Sequence, residues 1–414
     1  MTVREICQRA ADAAPKLAQL PSATKDAALR AMADALENRA SYLAEANAED
    51  VERAKAEQVA PTLIDRLTLT EGRISSMAQG LRSVADQPDP VGEIVGGWKR
   101  PNGLLIQKVR VPLGVVAVIY EARPNVTADV SGLCIKSGNA CVLRGSSIAL
   151  ASNRAIVDVL MSGAQPAGLP DAAVQLIQDA GRESAEELMQ QKGLVDLLVP
   201  RGGRALISSI EEKATVPYII DGDGNCHVYV DQSADPQMAT AITLNAKTQR
   251  PSVCNAAESL VVHAEIADKW LPGALDELAA KGVEIRGDER VRQLWPDALE
   301  ATDEDWATEY LDLKIAVRVV DSLDEAIAHV NHFGTSNAEA IVTQDIGSAR
   351  RFAGEVDSGT VFVNCSTRFS DGGEFGYGAE IGISTQKLHA RGPMGLRELT
   401  TTKYVVWGEG QIRE

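Results

Sequence analysis

The stretch GVVAVIYEARPNVTADVSGLCIKSGNACVLRGSS, residues 114–147, decides the fold. Gly114–Tyr120 is a continuous apolar run, the pattern of a strand buried on both faces. Residues 126–137 follow with helical character. Gly138-Asn139 ends that helix as a C-cap, where glycine takes the left-handed backbone conformation. ACVLR, 140–144, reads as a second strand, and Gly145-Ser146-Ser147 opens a helix to about Met161. Ala172–Ile177, Val195–Val199 and Val216–Ile220 continue the strands, with helices at about 183–191 and 203–213 between them. Strand–helix units in series imply a mostly parallel sheet covered on both faces, so the fold class is α/β.

A second α/β block begins near His227. HVYVD (227–231), SLVVH (259–263), IAVRVV (315–320), EAIVT and GTVFVN (359–364) read as strands. Residues 236–247 and 323–332 read as helices, the latter opened by Ser322 with Glu325 three residues on, a capping-box pattern. Upstream, 22–60 is helical, with Leu29, Met32, Leu36 and Leu43 on one face and Lys25 among the charged residues off it. Helical character continues over 62–86. Trp98–Val111 reads as a β-hairpin around Pro101-Asn102-Gly103, 371–382 as a glycine-rich loop, and KYVVW (403–407) as a terminal strand.

The 414 residues are 45% hydrophobic with a formal net charge of -17. An acidic chain without a basic block argues against nucleic acid and anionic membranes, yet leaves room for a small anion at a local cluster of cations and helix N-termini. Six cysteines stand at 7, 134, 141, 226, 254 and 365, with no zinc-site spacing and no disulfide framework. No metal is expected. The N-terminus has no apolar signal core and no run long enough to span a membrane, so a reducing cytoplasm is the expectation.

Cys254 has the most suggestive surroundings, following the polar, proline-containing turn NAKTQRPSV and preceding small residues. At a helix start its sulfur would gain thiolate character from unsatisfied N–H groups. The alternative is a small buried hydrophobe. No GxGxxG follows a strand, but two strand ends suit phosphate: Arg144-Gly145-Ser146-Ser147 and Arg201-Gly202-Gly203-Arg204. Asn125, at a third strand end, either donates its amide to an oxyanion or caps the next helix. The histidines read as structural or solvated.

Together, PLGVVAVIYEARPNVTADVSGLCIKSGNACVLRGSS, LLVPRGG, TQRPSVCNAAE, EYLDLKIAVRVVDSLDEAI and SGTVFVNCSTRF resemble the aldehyde dehydrogenase superfamily, in unbroken order from about residue 5 to 410. The resemblance implies two parallel-sheet α/β domains: a cofactor domain of 1–97 and 112–226 and a catalytic domain of 227–385. A small oligomerisation sheet of 98–111 and 400–414 is implied too, with 386–399 as a returning connection. It makes Cys254 the nucleophile and Asn125 the oxyanion-hole amide. Arg144, Gly145, Ser146 and Ser147 fall at the adenosine ribose, Arg201, Gly202 and Gly203 at the pyrophosphate, and Glu309 at the nicotinamide ribose. The implied reaction is NADP(H)-dependent reduction of an acyl phosphate, L-glutamyl 5-phosphate, in proline biosynthesis. Ser366, Arg368 and Ser370 would meet the substrate's carboxylate and ammonium. The implied partners are further copies of the chain and the glutamate kinase that makes the substrate.

Two departures bear on the reaction. Where hydrolytic members carry a glutamate base, this chain reads Tyr218-Ile-Ile-Asp221-Gly-Asp223-Gly, with Ile220 at that place and Asp221 and Asp223 nearby. Asn337 stands where the related reductases have His. The rival readings are an oxidising aldehyde dehydrogenase, which needs a water-activating base, and a non-catalytic nucleotide-binding relative.

Overall fold

Five helices, Val3–Leu17, Ser22–Asn38, Ala40–Ala56, Pro61–Leu67 and Glu71–Asp86, precede the first strand in the computed structural model, which describes residues 1–220 and 222–413. Thr2 and Glu5 form a capping box on the first helix. Leu29, Met32 and Leu36 line the buried stripe of the second, as their spacing requires. Lys25, expected off that stripe, is buried with them. Its ammonium is compensated by Asp89 at 2.5 Å and the Lys136 carbonyl at 3.1 Å, as a buried charge must be.

The chain divides into two units. The first is Met1–Ile220 with Gly376–Gly382 and Met394–Glu414; the second is Asp221–Phe375 with Ile383–Pro393. The strand Cys226–Val230 belongs to the second unit together with the residues leading into it.

A four-stranded parallel sheet lies in the first unit, in the order Val174–Leu176, Ala140–Gly145, Val115–Tyr120, Leu197–Arg201. Every residue of Val115–Tyr120 is buried. The helix Asn125–Lys136 ends where Gly138 adopts φ +78, and a Cβ there would meet Pro112 Cγ at 2.7 Å. Val216–Ile220 is extended without joining the sheet as a strand: Tyr218 makes only an isolated bridge to Leu198. Pro217 has no N–H to continue a ladder.

The hairpin begins at Ile94, earlier than the sequence suggested. Ile94–Lys99, Leu105–Pro112 and Thr400–Trp407 form one antiparallel sheet with Leu105–Pro112 in the middle. Trp98 packs edge-on against Tyr404, and Ile94, Leu105, Val406 and Trp407 are exposed around them.

A seven-stranded parallel sheet forms the second unit, in the order Leu299–Glu300, Glu284–Gly287, Lys314–Val320, Ala257–His263, Cys226–Val230, Ala338–Val342, Thr360–Val363. Val228, Leu260, Val262 and Val317 pack into one core cluster and Tyr229, Val261, Ile341 and Phe352 into another. Two buried clusters are what a sheet covered on both faces requires.

Candidate active site

Cys254 does not start a helix. It lies in a turn after the helix Pro236–Thr248 and before the strand Ala257–His263, because AESLVVH enters the middle of the sheet, buried on both faces, and the small residues before it are left in the turn. The thiol is half-buried. Cys7, Cys134, Cys141 and Cys226 are buried outright, and burial pushes the half-buried Cys365 thiol up.

The Cys254 peptide is fixed by its surroundings. Gly224 packs so closely on it that a Cβ would sit 1.7 Å from the Cys254 carbonyl oxygen and 2.6 Å from its Cα. That carbonyl accepts from the Cys226 thiol at 3.2 Å. The Gly224 N–H donates to Glu309 Oε1 at 2.7 Å, which brings the Glu309 segment to the same place. On the next residue, Asn255 Nδ2 donates to the Ser370 carbonyl at 2.9 Å and the Asn255 carbonyl accepts from Thr367 Oγ1 at 2.7 Å. These bonds clamp the turn Thr367–Phe369 onto the Cys254 loop. Arg368 Nε in turn donates to Gln249 Oε1 at 2.9 Å. Of the three residues assigned to the substrate, Arg368 alone presents a charge there. Ser366 and Ser370 are buried, Ser366 capping the turn and Ser370 lying 3.5 Å from Thr360 Oγ1.

Beneath the loop, Lys247 and Glu258 form a fully buried ion pair at 2.5 Å, and Glu258 Oε1 accepts from the Leu311 N–H at 3.1 Å. Burial raises Glu258 and lowers Lys247; each partner opposes the shift of the other. The pair ties the helix before Cys254, the strand after it and the Glu309–Leu311 segment together. Gly224, Cys254 and Glu309 all precede strands, so this cluster gathers at the amino edge of the sheet. Ligands in open α/β sheets usually sit at carboxyl ends.

In the first unit the assigned loops do share the carboxyl edge. Tyr120 is in register with both Gly145 and Arg201, so Glu121–Asn125, Gly145–Ser147 and Arg201–Gly203 emerge side by side. Asn125 opens the helix Asn125–Lys136 without capping it; its Nδ2 donates to Asp129 Oδ2 at 3.0 Å, one turn on. Burial raises Asp129 to about 6, opposed by the Asn125 amide and by Arg201. Gly203 precedes the helix Arg204–Lys213 and its N–H donates to Glu121 Oε1 at 2.9 Å. Arg144 Nη2 donates to the Ala180 and Gly181 carbonyls, both at 2.6 Å. Ser146 caps the turn Ser147–Ala149, and Arg53 Nη2 donates to the Ser147 and Ile148 carbonyls.

Residues 1–291 and 315–405 match the model of the aldehyde dehydrogenase family. The gamma-glutamyl phosphate reductase of Thermobifida fusca is 56% identical over 411 residues, 99% of this chain and 98% of that protein. That of Caldanaerobacter subterraneus is 53% identical over 414 residues, 100% of both. The crystal structure of gamma-glutamyl phosphate reductase from Thermotoga maritima matches with a TM-score of 0.98 at 46% identity, covering 100% of both chains.

The chain belongs to the aldehyde dehydrogenase family.

Members of this family are oxidoreductases that use NAD or NADP. The carboxyl edge of the first unit suits such a cofactor. It has a glycine pair opening a helix and cations at 144 and 201, although Glu121 Oε1 holds the Gly203 N–H. Ile220, which the sequence suggested for the place of the family's hydrolytic base, is buried. Asp221 lies outside the described residues. Asn337 is fully buried, with neither Oδ1 nor Nδ2 hydrogen-bonded. Among the described residues no helix is long and apolar enough to cross a membrane. Sequence reasoning missed Gly224, Lys247, Glu258 and Arg250. Their partners lie 11 to 118 positions away, so no local pattern announces them.

Proposed function

We propose that the protein reduces L-glutamyl 5-phosphate to L-glutamate 5-semialdehyde and phosphate, with NADPH as reductant and a thioester on Cys254. The observation that carries this reading is the Cys254 loop: a half-buried thiol whose peptide is locked by Gly224 and whose flank carries Arg368. The thiolate Sγ bonds to the acyl carbon, the carbon–oxygen bond to phosphate breaks, and phosphate leaves with the bonding pair. Asn125 and the Cys254 N–H are assigned to the oxyanion. An amide nitrogen carries two hydrogens, so the bond to Asp129 orients Asn125 Nδ2 and leaves the second for substrate.

When bound, the dinucleotide supplies hydride. Arg144, Gly145, Ser146 and Ser147 are assigned to its adenosine ribose, Arg201, Gly202 and Gly203 to its pyrophosphate and Glu309 to its nicotinamide ribose. NADP is favoured over NAD because no carboxylate follows the strand Ala140–Gly145 to grip a free 2′-hydroxyl. Buried Ile220 activates no water, which protects the thioester from hydrolysis. Arg368 meets an anionic group of the substrate, with Ser366 and Ser370 holding its turn.

The apolar residues on the sheet of Ile94–Lys99, Leu105–Pro112 and Thr400–Trp407 support assembly with further copies of the chain. The absence of disulfides among the described residues fits the reducing cytoplasm we assign. Acyl phosphates hydrolyse readily, so direct supply by glutamate kinase belongs to this reading. The test is Cys254→Ala: turnover should vanish while NADPH affinity stays within about threefold. Substantial residual reduction of glutamyl phosphate would exclude the thioester route.

A further inference from the structure

The residues around Cys254 include two cations that no ion pair accounts for. Arg250 precedes Cys254 by four positions and is exposed; Arg368 is half-buried on the turn clamped to Asn255. Among the described residues neither guanidinium makes an ion pair within 4.0 Å, unlike Arg30, Arg73 and Arg351. Arg368 Nε is held by Gln249, the neighbour of Arg250, so the Arg368 turn grips the Cys254 segment at both ends, at 249 and at 255. The like charge of Arg250, after burial, lowers Arg368 below the ordinary arginine range, while Asp371 and Cys254 act in the opposite sense. Asp371 offsets the repulsion only from a distance: it makes no ion pair with either arginine within 4.0 Å among the described residues, and its Oδ1 accepts the backbone N–H groups of Gly373 and Glu374. Two guanidiniums close enough to feel each other's charge, with no carboxylate in contact with either, repel unless an anion joins them.

We propose that Arg250 and Arg368 form the receiving site for the phosphoryl group of the acyl phosphate, and for inorganic phosphate when the reaction runs in reverse. The inference rests on the acyl-phosphate reading and names the anion that Arg368 meets. In glutamyl phosphate the phosphoryl oxygen is bonded directly to the carbon that Sγ attacks, whereas the α-carboxylate lies four carbon–carbon bonds further along. A cation four residues before the nucleophile and one on the turn clamped beside it are therefore assigned to the phosphate. As the carbon–oxygen bond breaks, the bonding pair passes to the leaving oxygen and the formal charge of the phosphate rises from minus two to minus three before it takes a proton. Two forked guanidiniums stabilise that growing charge, and the same field favours the Cys254 thiolate.

The experiment compares wild type with Arg250→Gln, Arg368→Gln and the charge-preserving Arg250→Lys. Semialdehyde oxidation by NADP is followed at varied phosphate and at varied semialdehyde. Loss of either guanidinium should raise the phosphate KM at least about tenfold, the lower end for a charge-assisted hydrogen bond. The semialdehyde KM should stay within about twofold, and Arg250→Lys should recover most of the phosphate affinity. A second readout is independent of turnover: inorganic phosphate should slow iodoacetamide alkylation of Cys254 in wild type and not in Arg250→Gln. An unchanged phosphate KM with a raised semialdehyde KM would mean that the cations hold the carboxylate, and the proposal falls. If wild type shows no phosphate-dependent NADP reduction, the acyl-phosphate reading fails. In that event, loss of phosphate protection in Arg250→Gln still supports the anion site, and equal alkylation with and without phosphate in wild type overturns it.

Discussion

Replacing Gly224 by Ala should disable the enzyme while leaving it folded. The added Cβ would stand 1.7 Å from the Cys254 carbonyl oxygen, 2.4 Å from its carbonyl carbon and 2.6 Å from its Cα, all backbone atoms that no rotamer change can move aside. To clear the 3.0 Å that real Cβ atoms respect, the Cys254 carbonyl must retreat by at least about 1.3 Å. The loop resists, since it is bonded to Cys226 below and to the 367–370 turn beyond Asn255. Overpacking of this kind destabilises by about 1–3 kcal/mol. A displacement of roughly 1 Å in a reacting group lowers the rate by about 10² or more. The expected result is a fall in kcat of at least about a hundredfold, with NADPH affinity kept within about threefold and an altered alkylation rate at Cys254. Gly273→Ala is the control. It lies in the helix Ala264–Ala280 with nothing within 4 Å of its would-be Cβ, so it should be neutral or stabilising by up to about 1 kcal/mol. A Gly224→Ala enzyme with kcat within about threefold of wild type and normal Cys254 alkylation would refute the claim that this contact sets the nucleophile's position.

Asn125→Ala should lower kcat by roughly 10²–10³ with little change in melting temperature, because the side chain caps nothing; a loss confined to stability would reverse that assignment. Deleting residues 402–414 removes most of the strand paired with Leu105–Pro112 and should yield monomers or aggregates by sedimentation; an unchanged, stable oligomer would place the interface elsewhere. His329 should contribute to acid sensitivity. Burial first, then His227, Arg318 and His332, pushes it down to about 2. The unfolded chain takes up that proton near pH 6.5 and the native protein does not. Stability is therefore fully present above pH 6.5 and falls below it, by at most about 1.4 kcal/mol per pH unit. Denaturant titrations between pH 6.5 and 4.5 should show a shallower decline for His329→Gln, and parallel curves would count against the buried neutral imidazole.

Much of the architecture was legible in the order of residues. Gly114–Tyr120 is apolar without interruption because helices cover both faces of its sheet, and Gly138 ends its helix because the chain there needs positive φ. Those signals are local, and local signals survive in a sequence. Where the reading went astray, a distant partner had overruled a local preference. Lys25 looked like a surface lysine until Asp89 and the Lys136 carbonyl compensated its burial. Val216–Ile220 had strand composition but found only one bridge.

Cys254 shows the division most clearly. Its polar turn and small neighbours marked it in the sequence, but the helix start invoked to activate it does not exist. What holds it comes from afar: the backbone of Gly224, the turn that carries Arg368, and the buried Lys247–Glu258 pair beneath. Sequence alone determined which residue types are present and the period in which they alternate, since backbone geometry reads only near neighbours. The tertiary structure decided that the cysteine cluster gathers at the amino edge of its sheet and that two arginines 118 positions apart share one field. Such juxtapositions depend on strand order and packing, for which no spacing along the chain is a substitute.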